Sequence, residues 1–325
     1  MPSQFLYQFL CAEANIIPLF FEILFPINVD KSFSSTGELE MDMMYDKIEK
    51  AKSSGSFDEK DLASLDAGKV DVIFEEEKSE NKISLESFTI IKSIGRGSFG
   101  HVFLSRYKPT GKLFALKVLN KEYLKSENQV EHTMAERSVL SKVRHPNIVS
   151  MVLAFQSKNK LFFVLDYCPG GELFFQLTKT GRFPEDKAKF YAAQVILALE
   201  HIHSHGFVYR DLKPENVLLD HLGNVKLTDF GLSKGGVTLA NEGADSFCGT
   251  PEYIAPEVLL KQGYGKAVDW WSLGALLYEM VTGLPPFYSK NRELMFERIL
   301  HENLTFPRFV GDVNSYLSPY LILTL

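Results

Sequence analysis

Two short polar motifs flank a predicted β-hairpin in the second half of this chain. The first motif is Tyr209-Arg-Asp-Leu-Lys-Pro-Glu-Asn216 and the second is Asp229-Phe-Gly231. The apolar runs Val217–Leu219 and Val225–Leu227, which are joined around Gly223-Asn224, predict the hairpin between them. Because the two ends of a hairpin lie side by side, this arrangement would bring Asp, Asn and Lys side chains of both motifs together.

These residue types suit chemistry on a metal-bound phosphate. Mg²⁺ prefers oxygen ligands and usually keeps waters and substrate phosphates among them. Asp229 and Asn216 can supply two such oxygens, which leaves Asp211 to accept a proton from a hydroxyl. Lys213 can offset the charge of the group in transit. Each residue alone is most often a turn residue, so the ordered set carries the prediction.

Charge and cysteine content narrow the functional class. The net charge is −6 and no Lys/Arg-rich run occurs, which argues against a nucleic-acid partner. Cys11, Cys168 and Cys248 are widely spaced and form no metal-ligand pattern. They indicate a reducing compartment, so we expect a cytoplasmic protein with possible nuclear access.

The N-terminal extension, residues 1–87, is expected to be largely disordered. Its apolar stretch Ala14–Val29 is interrupted by two prolines and a glutamate, so we predict neither a signal peptide nor a membrane span. Residues 36–82 are rich in Ser, Asp, Glu and Lys and can bury little apolar surface. One helix is predicted there, near Met41–Lys52.

From Phe88 onwards, short strands give way to helices. The predicted strands are Phe88–Ile94, Val102–Arg106, Leu113–Leu119 and Leu161–Leu165. The predicted helices are Glu131–Val143, with Met134, Val139, Leu140 and Val143 near one apolar stripe, Pro184–Ser204, and a buried Ala267–Thr282. This order predicts an α+β fold in which a small β-rich lobe joins a larger helical lobe, with a ligand in the cleft between them.

A glycine-rich loop lies between the first two predicted strands. Its sequence is Gly95-Arg-Gly-Ser-Phe-Gly100, and glycines let backbone N–H groups approach phosphate oxygens closely. A dinucleotide-binding loop would instead open a helix. Lys117 follows on the next strand with apolar neighbours, a costly place for an ammonium unless a phosphate or carboxylate meets it. Glu136 on the following helix is the natural partner.

Taken in order, these motifs resemble those of a eukaryotic protein kinase. The glycine-rich loop, Lys117 and the two polar motifs are followed by Ala255-Pro-Glu257, and the resemblance covers residues 88–307. The details resemble the AGC group, nearest to protein kinase A, protein kinase B and the ribosomal protein kinases. The residues that carry this are Tyr209, His132-Thr-Met-Ala-Glu136 and Ser246-Phe-Cys-Gly-Thr-Pro-Glu-Tyr253.

The resemblance implies an ATP-dependent protein Ser/Thr kinase that uses ATP and Mg²⁺. It implies a proton-accepting Asp211, metal ligands Asn216 and Asp229, a Lys117–Glu136 pair, and Lys213 with Thr250 beside the transferred group. The implied nucleotide-site residues are Ile94, Gly95, Gly97, Ser98, Phe99, Gly100, Val102, Ala115, Lys117, Leu165 as gatekeeper, Asp166 and Cys168 as hinge, Glu172, Glu215, Leu218 and Asp229. The aliphatic members could equally be ordinary core residues.

The resemblance also implies how the protein is activated and what it phosphorylates. Ser246 is the expected phosphorylation site for an upstream kinase, with Arg210, Lys234 and His132 around the phosphate. Glu172, Glu215 and Glu279 would read basic residues of a peptide substrate, with Arg three positions upstream of the acceptor. An apolar pocket for the following substrate residue would consist of Phe247, Pro251 and Ile254.

The last segment, 308–325, departs from the kinase pattern. We expect a truncated helical lobe, in which a buried Glu257 lacks its usual arginine partner. An alternative function follows from this: a nucleotide-binding but catalytically weak protein that acts as a scaffold. The intact Lys117, Asp211, Asn216 and Asp229 favour the active kinase instead.

Overall fold

The computed structural model describes residues 70–71, 83–97, 100–237 and 243–307. The apolar stretch Ala14–Val29, the predicted helix near Met41–Lys52 and the segment 308–325 lie outside these residues. Among the described residues, no helix combines the length and the apolar composition needed to cross a bilayer.

The small lobe is built on an antiparallel sheet. Its strands are β1 (Val70–Asp71), β2 (Phe88–Gly97), β3 (Gly100–Tyr107), β4 (Leu113–Asn120), β5 (Met151–Gln156) and β6 (Lys160–Asp166). They are ordered β1-β5-β6-β4-β3-β2 across the sheet. The register sets Val102 opposite Lys117, and Ala115 opposite Leu165. Since opposed residues of antiparallel strands are neighbours on one face, these four predicted nucleotide-site residues are brought together here.

Two helices accompany this sheet, α1 (Lys121–Ser126) and α2 (Val130–Lys142). The α1 helix begins after Asn120, whose side chain accepts hydrogen bonds from two backbone N–H groups of the first turn. The predicted apolar stripe of α2 is wrong at Met134, which is 54% exposed. The buried face carries Glu136 instead, because this helix presents a carboxylate to Lys117 rather than a purely apolar stripe.

The large lobe is mainly helical. Its helices are α3 (Leu173–Thr180), α4 (Glu185–Ser204), α5 (Pro256–Leu259), α6 (Ala267–Thr282) and α7 (Arg292–His301). Short strands β7 (Gly171–Glu172), β9 (Val217–Leu219) and β10 (Val225–Leu227) form one small sheet. A second consists of β8 (Phe207–Val208) and β11 (Lys234–Gly235). The α4 and α6 helices pack against each other in the core, and α6 is buried on nearly every side, as predicted.

The α+β fold with a small β-rich lobe and a larger helical lobe is confirmed. The hairpin strands β9 and β10 and the helix α6 have the predicted bounds, and the other strands and helices predicted within the described residues are shifted by a few residues at their ends. The patterns missed β5, the two-residue strands β1, β7, β8 and β11, and the helices α1, α3, α5 and α7. In α7 only Met295 and Ile299 are buried, which is too few apolar positions to produce a helical period.

Candidate active site

A cleft of about 920 Å³ separates the two lobes. It collects the predicted nucleotide-site residues from strands and loops that are far apart in sequence. Those that line it are Ile94, Gly95, Gly100, Val102, Ala115, Lys117, Glu136, Leu165, Asp166, Cys168, Glu172, Asp211, Glu215, Asn216, Leu218 and Asp229. Gly97 ends β2 opposite Gly100, whereas Ser98 and Phe99 lie outside the described residues.

An ion pair joins the sheet to α2 inside the cleft. The Lys117 Nζ atom lies 2.6 Å and 2.8 Å from the two carboxylate oxygens of Glu136. Burial alone would lower the pKa of Lys117, but the Glu136 and Asp229 carboxylates together raise it above its ordinary value. Lys117 is therefore held as an ammonium, and its position fixes how α2 sits against β4.

The Asp211 carboxylate is fixed by three neighbouring side chains. Thr250 Oγ1 donates to Asp211 Oδ1 at 2.8 Å, and Asn216 Nδ2 donates to Asp211 Oδ2 at 2.8 Å. Lys213 Nζ lies 2.9 Å from Asp211 Oδ2 and donates to Thr250 Oγ1 at 2.9 Å. The predicted association of Asp211, Lys213, Asn216 and Thr250 is therefore present, and both oxygens of Asp211 are oriented before any substrate arrives.

Beneath this group, Asp269 of α6 holds the backbone of the loop that carries Asp211. Its fully buried carboxylate accepts from the Tyr209 N–H at 2.8 Å and from the Arg210 N–H at 2.8 Å. The His203 Nε2 atom lies 2.7 Å from the same carboxylate. Arg210 has a φ of 69°, in the left-handed region that side chains other than glycine rarely adopt.

Sequence reasoning missed Asp269 and His203. A signal was present, because Asp269 is an acid near the start of a helix that is otherwise almost entirely apolar. A charged residue in such a helix requires buried partners. The sequence alone gave no indication that those partners are backbone N–H groups of a distant loop.

The Asp229-Phe-Gly231 segment turns its aspartate and its phenylalanine to opposite sides. Asp229 is exposed to the cleft with a left-handed φ of 57°, while Phe230 is fully buried. The Phe230 ring packs edge-on against Tyr209, with 5.2 Å between centroids. The Tyr209 hydroxyl donates to the backbone carbonyl of Thr228, directly before Asp229. Packing in the core thus aims Asp229 at the cleft.

The donor set in the cleft fits Mg²⁺ better than a softer metal. Asp229 offers carboxylate oxygens, and Asn216 offers its amide oxygen because its Nδ2 is already engaged with Asp211. Within the described ranges, no group of three or more His, Cys, Asp or Glu residues is arranged to hold a metal. Two protein oxygens would therefore need waters and phosphate oxygens beside them, which is the usual coordination of Mg²⁺.

Comparison with known proteins agrees with this geometry. Residues 88–318 match the protein kinase domain family. The chain belongs to the protein kinase family. It is 49% identical over 245 residues to a RAC family serine/threonine-protein kinase homolog of Dictyostelium discoideum, covering 75% of this chain and 55% of that protein. It is 51% identical over 241 residues to the serine/threonine-protein kinase YPK1 of Saccharomyces cerevisiae, covering 74% of this chain and 35% of that protein.

A third relative is the RAC-beta serine/threonine-protein kinase of Rattus norvegicus. The identity is 48% over 236 residues, which cover 72% of this chain and 48% of the relative. These similarities place the chain in the AGC group of Ser/Thr kinases. The matched part spans between about a third and just over half of the length of these relatives.

In this kinase fold, the side chains expected around a phosphate on Ser246 have different hydrogen-bond partners. Arg210 Nη1 donates to Ser246 Oγ at 2.7 Å, and the Tyr264 hydroxyl donates to the Ser246 carbonyl at 2.6 Å. Lys234 instead faces Asp245 at 3.6 Å, and His132 Nδ1 lies 2.7 Å from Gln129 Oε1. Of the three residues predicted around a phosphate, Arg210 alone forms a hydrogen bond to Ser246 within the described part of the chain.

Of the three glutamates predicted to bind basic residues of a peptide substrate, one is buried. Glu172 and Glu215 are exposed at the cleft, whereas Glu279 is buried in α6 and accepts a hydrogen bond from the Tyr253 hydroxyl. Burial raises the pKa of Glu279 to about 7, and the carboxylates of Glu215 and Glu252 add to this rise. Glu279 is thus the peptide-facing candidate whose charge changes near neutral pH.

Two other expectations concern the segment around Glu257. Glu257 is only partly buried and is not without a partner, so the expectation of an unpaired buried carboxylate is wrong. In the predicted apolar pocket, Ile254 is buried, while Phe247 is exposed and meets Phe296 edge-on with 6.4 Å between ring centroids.

We expect Asp269→Asn to destabilise this kinase domain. One amide oxygen cannot replace two carboxylate oxygens for the backbone N–H groups of Tyr209 and Arg210, so a buried donor loses its acceptor. The free energy of unfolding should fall by about 1–3 kcal/mol in a denaturant titration, and further in Asp269→Ala. The exposed Glu297→Ala on α7 serves as the control, with a change of at most about 0.5 kcal/mol. Equal midpoints for all variants would contradict the assigned role of Asp269.

Proposed function

We propose that this chain is an ATP-dependent protein Ser/Thr kinase that transfers the γ-phosphoryl group of Mg-ATP to a Ser or Thr hydroxyl. The observation that carries the proposal is the oriented Asp211 carboxylate, which opens on the same cleft as the Lys117–Glu136 pair and Asp229. Phosphoryl transfer needs mainly positioning and charge stabilisation, and this set provides both.

In this proposal the nucleotide lies between the two lobes. Ile94, Val102, Ala115 and Leu218 enclose the adenine, with the backbone of Asp166 and Cys168 as its hydrogen-bonding edge. Glycine residues of the loop between β2 and β3 cover the phosphates. Lys117 pairs with the α- and β-phosphates, since its ammonium is fixed by Glu136 and faces the cleft.

The protein's own groups then act on the acceptor hydroxyl. Asp211 accepts a hydrogen bond from this hydroxyl and takes its proton as the new bond to phosphorus forms. Lys213, held between Asp211 and Thr250, offsets negative charge on the group in transit. Asn216 and Asp229 would hold Mg²⁺, which supplies neutralisation of phosphate charge when bound.

The alternative of a catalytically weak scaffold is not favoured by the site. A protein that only bound nucleotide would need the slot and Lys117, but not the ring of hydrogen bonds that orients Asp211. That ring is complete, because each of its four side chains contacts at least one other.

The decisive test compares Asp211→Asn with the wild-type protein. We expect the variant to bind ATP with unchanged Kd but to lose about 10²–10⁴-fold in kcat, because an amide cannot take the hydroxyl proton. Transfer of labelled phosphate to an Arg-containing Ser peptide gives kcat, and calorimetry gives Kd. The control is Lys189→Met, an ion-paired lysine on α4. Nucleotide binding without transfer by the wild-type protein would support the scaffold instead.

We further propose that an upstream kinase activates the protein by phosphorylating Ser246. Support comes from the Arg210 guanidinium at 2.7 Å from the Ser246 hydroxyl. Arg210 directly precedes Asp211, so a phosphate there would be linked to the catalytic loop through one residue. Lys234 could reach the same phosphate on leaving the exposed Asp245, since an ion pair with a 91% exposed carboxylate is weak.

After treatment with an activating kinase, Ser246→Ala should stay about 10- to 100-fold less active than the wild-type protein. This range follows from one charge-assisted hydrogen bond, which contributes about 1.5–3 kcal/mol. Mass spectrometry identifies the modified residue, and Ser126→Ala on the exposed face of α1 is the control. Full activity of treated Ser246→Ala would remove Ser246 from the mechanism.

The proposed substrates are peptides with Arg upstream of the acceptor. Their basic residues would bind to Glu172, Glu215 and Glu279. Glu279 gives this proposal a pH signature. Below pH 7 its raised pKa keeps it largely protonated and neutral, while above pH 7 it is ionised and can pair with Arg. Binding of a cation therefore improves as the pH rises through about 7.

We expect the KM for an Arg-containing peptide to fall by about tenfold between pH 6 and pH 8 at saturating ATP. The factor is tenfold because pH 6 lies about one unit below the Glu279 pKa, where only about one carboxyl group in ten is ionised. Glu279→Gln should remove most of this dependence, whereas Glu297→Gln on α7 should keep it. An unchanged pH profile in Glu279→Gln would exclude Glu279 from peptide recognition.

A further inference from the structure

A cross-lobe ion pair lies beside the adenine slot, and its lysine has no part in the function proposed above. Its acid is Asp166, the last residue of β6 in the small lobe, and its base is Lys226, the middle residue of β10 in the large lobe. The Lys226 Nζ atom lies 3.7 Å from Asp166 Oδ2. Both side chains are partly shielded from solvent, with 17% of Lys226 and 29% of Asp166 exposed.

Asp166 is fixed to the small lobe by its backbone and its side chain together. Its N–H donates to the Ser150 carbonyl at 3.0 Å, and Asp166 Oδ2 accepts from the Ser150 N–H at 3.2 Å. The oxygen that binds Ser150 is the one that faces Lys226. Any pull on this carboxylate therefore acts on the backbone of the hinge.

Lys226 belongs to the hairpin that forms the floor of the slot. It lies opposite Leu218 in the β9–β10 register, and Leu218 lines the cleft. Three residues further along the chain is Asp229, the proposed metal ligand. The charge of Lys226 also acts on Cys168 of the hinge. Burial raises the pKa of the Cys168 thiol to about 12, and Lys226 partly opposes that rise.

The ion pair thus connects two parts of the slot that belong to different lobes. One end fixes the edge that would bind adenine, and the other end is on the strand that leads to the metal ligand. A partly exposed ion pair at this distance contributes little to overall stability. Its effect should appear in the relative position of hinge and floor, which determines nucleotide affinity.

We propose that Lys226 is a positioning residue for the nucleotide, acting through Asp166 to hold the hinge at a fixed distance from the floor of the slot. This inference rests on the proposed function, because it takes the cleft to be an ATP site. It adds a residue outside the predicted nucleotide and catalytic set. Substitution of Lys226 should therefore change the Kd and the KM for ATP, with kcat and folding nearly unaffected.

The test uses the full chain and measures ATP binding by calorimetry, so it does not depend on phosphate transfer. Lys226→Met keeps the length of the side chain and removes its charge. We expect its Kd for ATP to rise by about 3- to 10-fold, which lies in the lower part of the range of coupling between contacting residues. Lys189→Met is the matched control, because Lys189 is also ion-paired and 15% exposed but lies on α4.

A charge exchange separates the ion pair from a general effect of the substitution. Lys226→Asp and Asp166→Lys each place like charges together, so both should weaken ATP binding, and the double variant should bind more tightly than either. An unchanged Kd in Lys226→Met, or strictly additive losses in the double variant, would overturn the inference. A wild-type protein that does not bind ATP would overturn the proposed function as well.

Discussion

The catalytic loop of this kinase depends on one buried carboxylate. Asp269 has no exposed surface and lies in a mostly apolar helix, so its charge requires compensation by donors in the core. Two of these donors are the N–H groups of Tyr209 and Arg210, which hold Arg210 in a left-handed conformation. The next residue is Asp211. The helix thus determines where the Asp211 carboxylate lies before any side chain of the site is considered.

Around this anchor, the site has two electrostatic centres with different physical roles. The Lys117–Glu136 pair joins the sheet to α2 and keeps an ammonium in the small lobe. The Asp211 group orients a carboxylate in the large lobe through three side chains. The proposed reaction requires both, because the ammonium would offset charge on the nucleotide while the carboxylate would face the acceptor. The cleft lies between them, so the spacing of the lobes is part of the chemistry.

Patterns in the sequence predicted the fold class and most of the site. The hairpin Val217–Leu219 with Val225–Leu227 and the buried helix Ala267–Thr282 were predicted with their bounds, since β-branched runs and a uniformly apolar helix give strong local signals. The α2 helix was predicted, and Val139 and Leu140 are buried as expected, but Met134 is exposed because the buried face presents Glu136 to Lys117. Short elements with few buried residues, such as α7, gave no usable period.

The sequence by itself determined which chemical groups are present and in what order, because motif spacing and strand or helix periods are local properties of the chain. It determined the glycine-rich loop, Lys117, Asp211, Asn216 and Asp229. Only the tertiary structure decided how these groups are held. The anchoring of the loop by Asp269, the hydrogen bond of Arg210 to Ser246 and the contact between Lys226 and Asp166 all join residues distant in sequence. Such contacts arise from packing, so no local pattern records them.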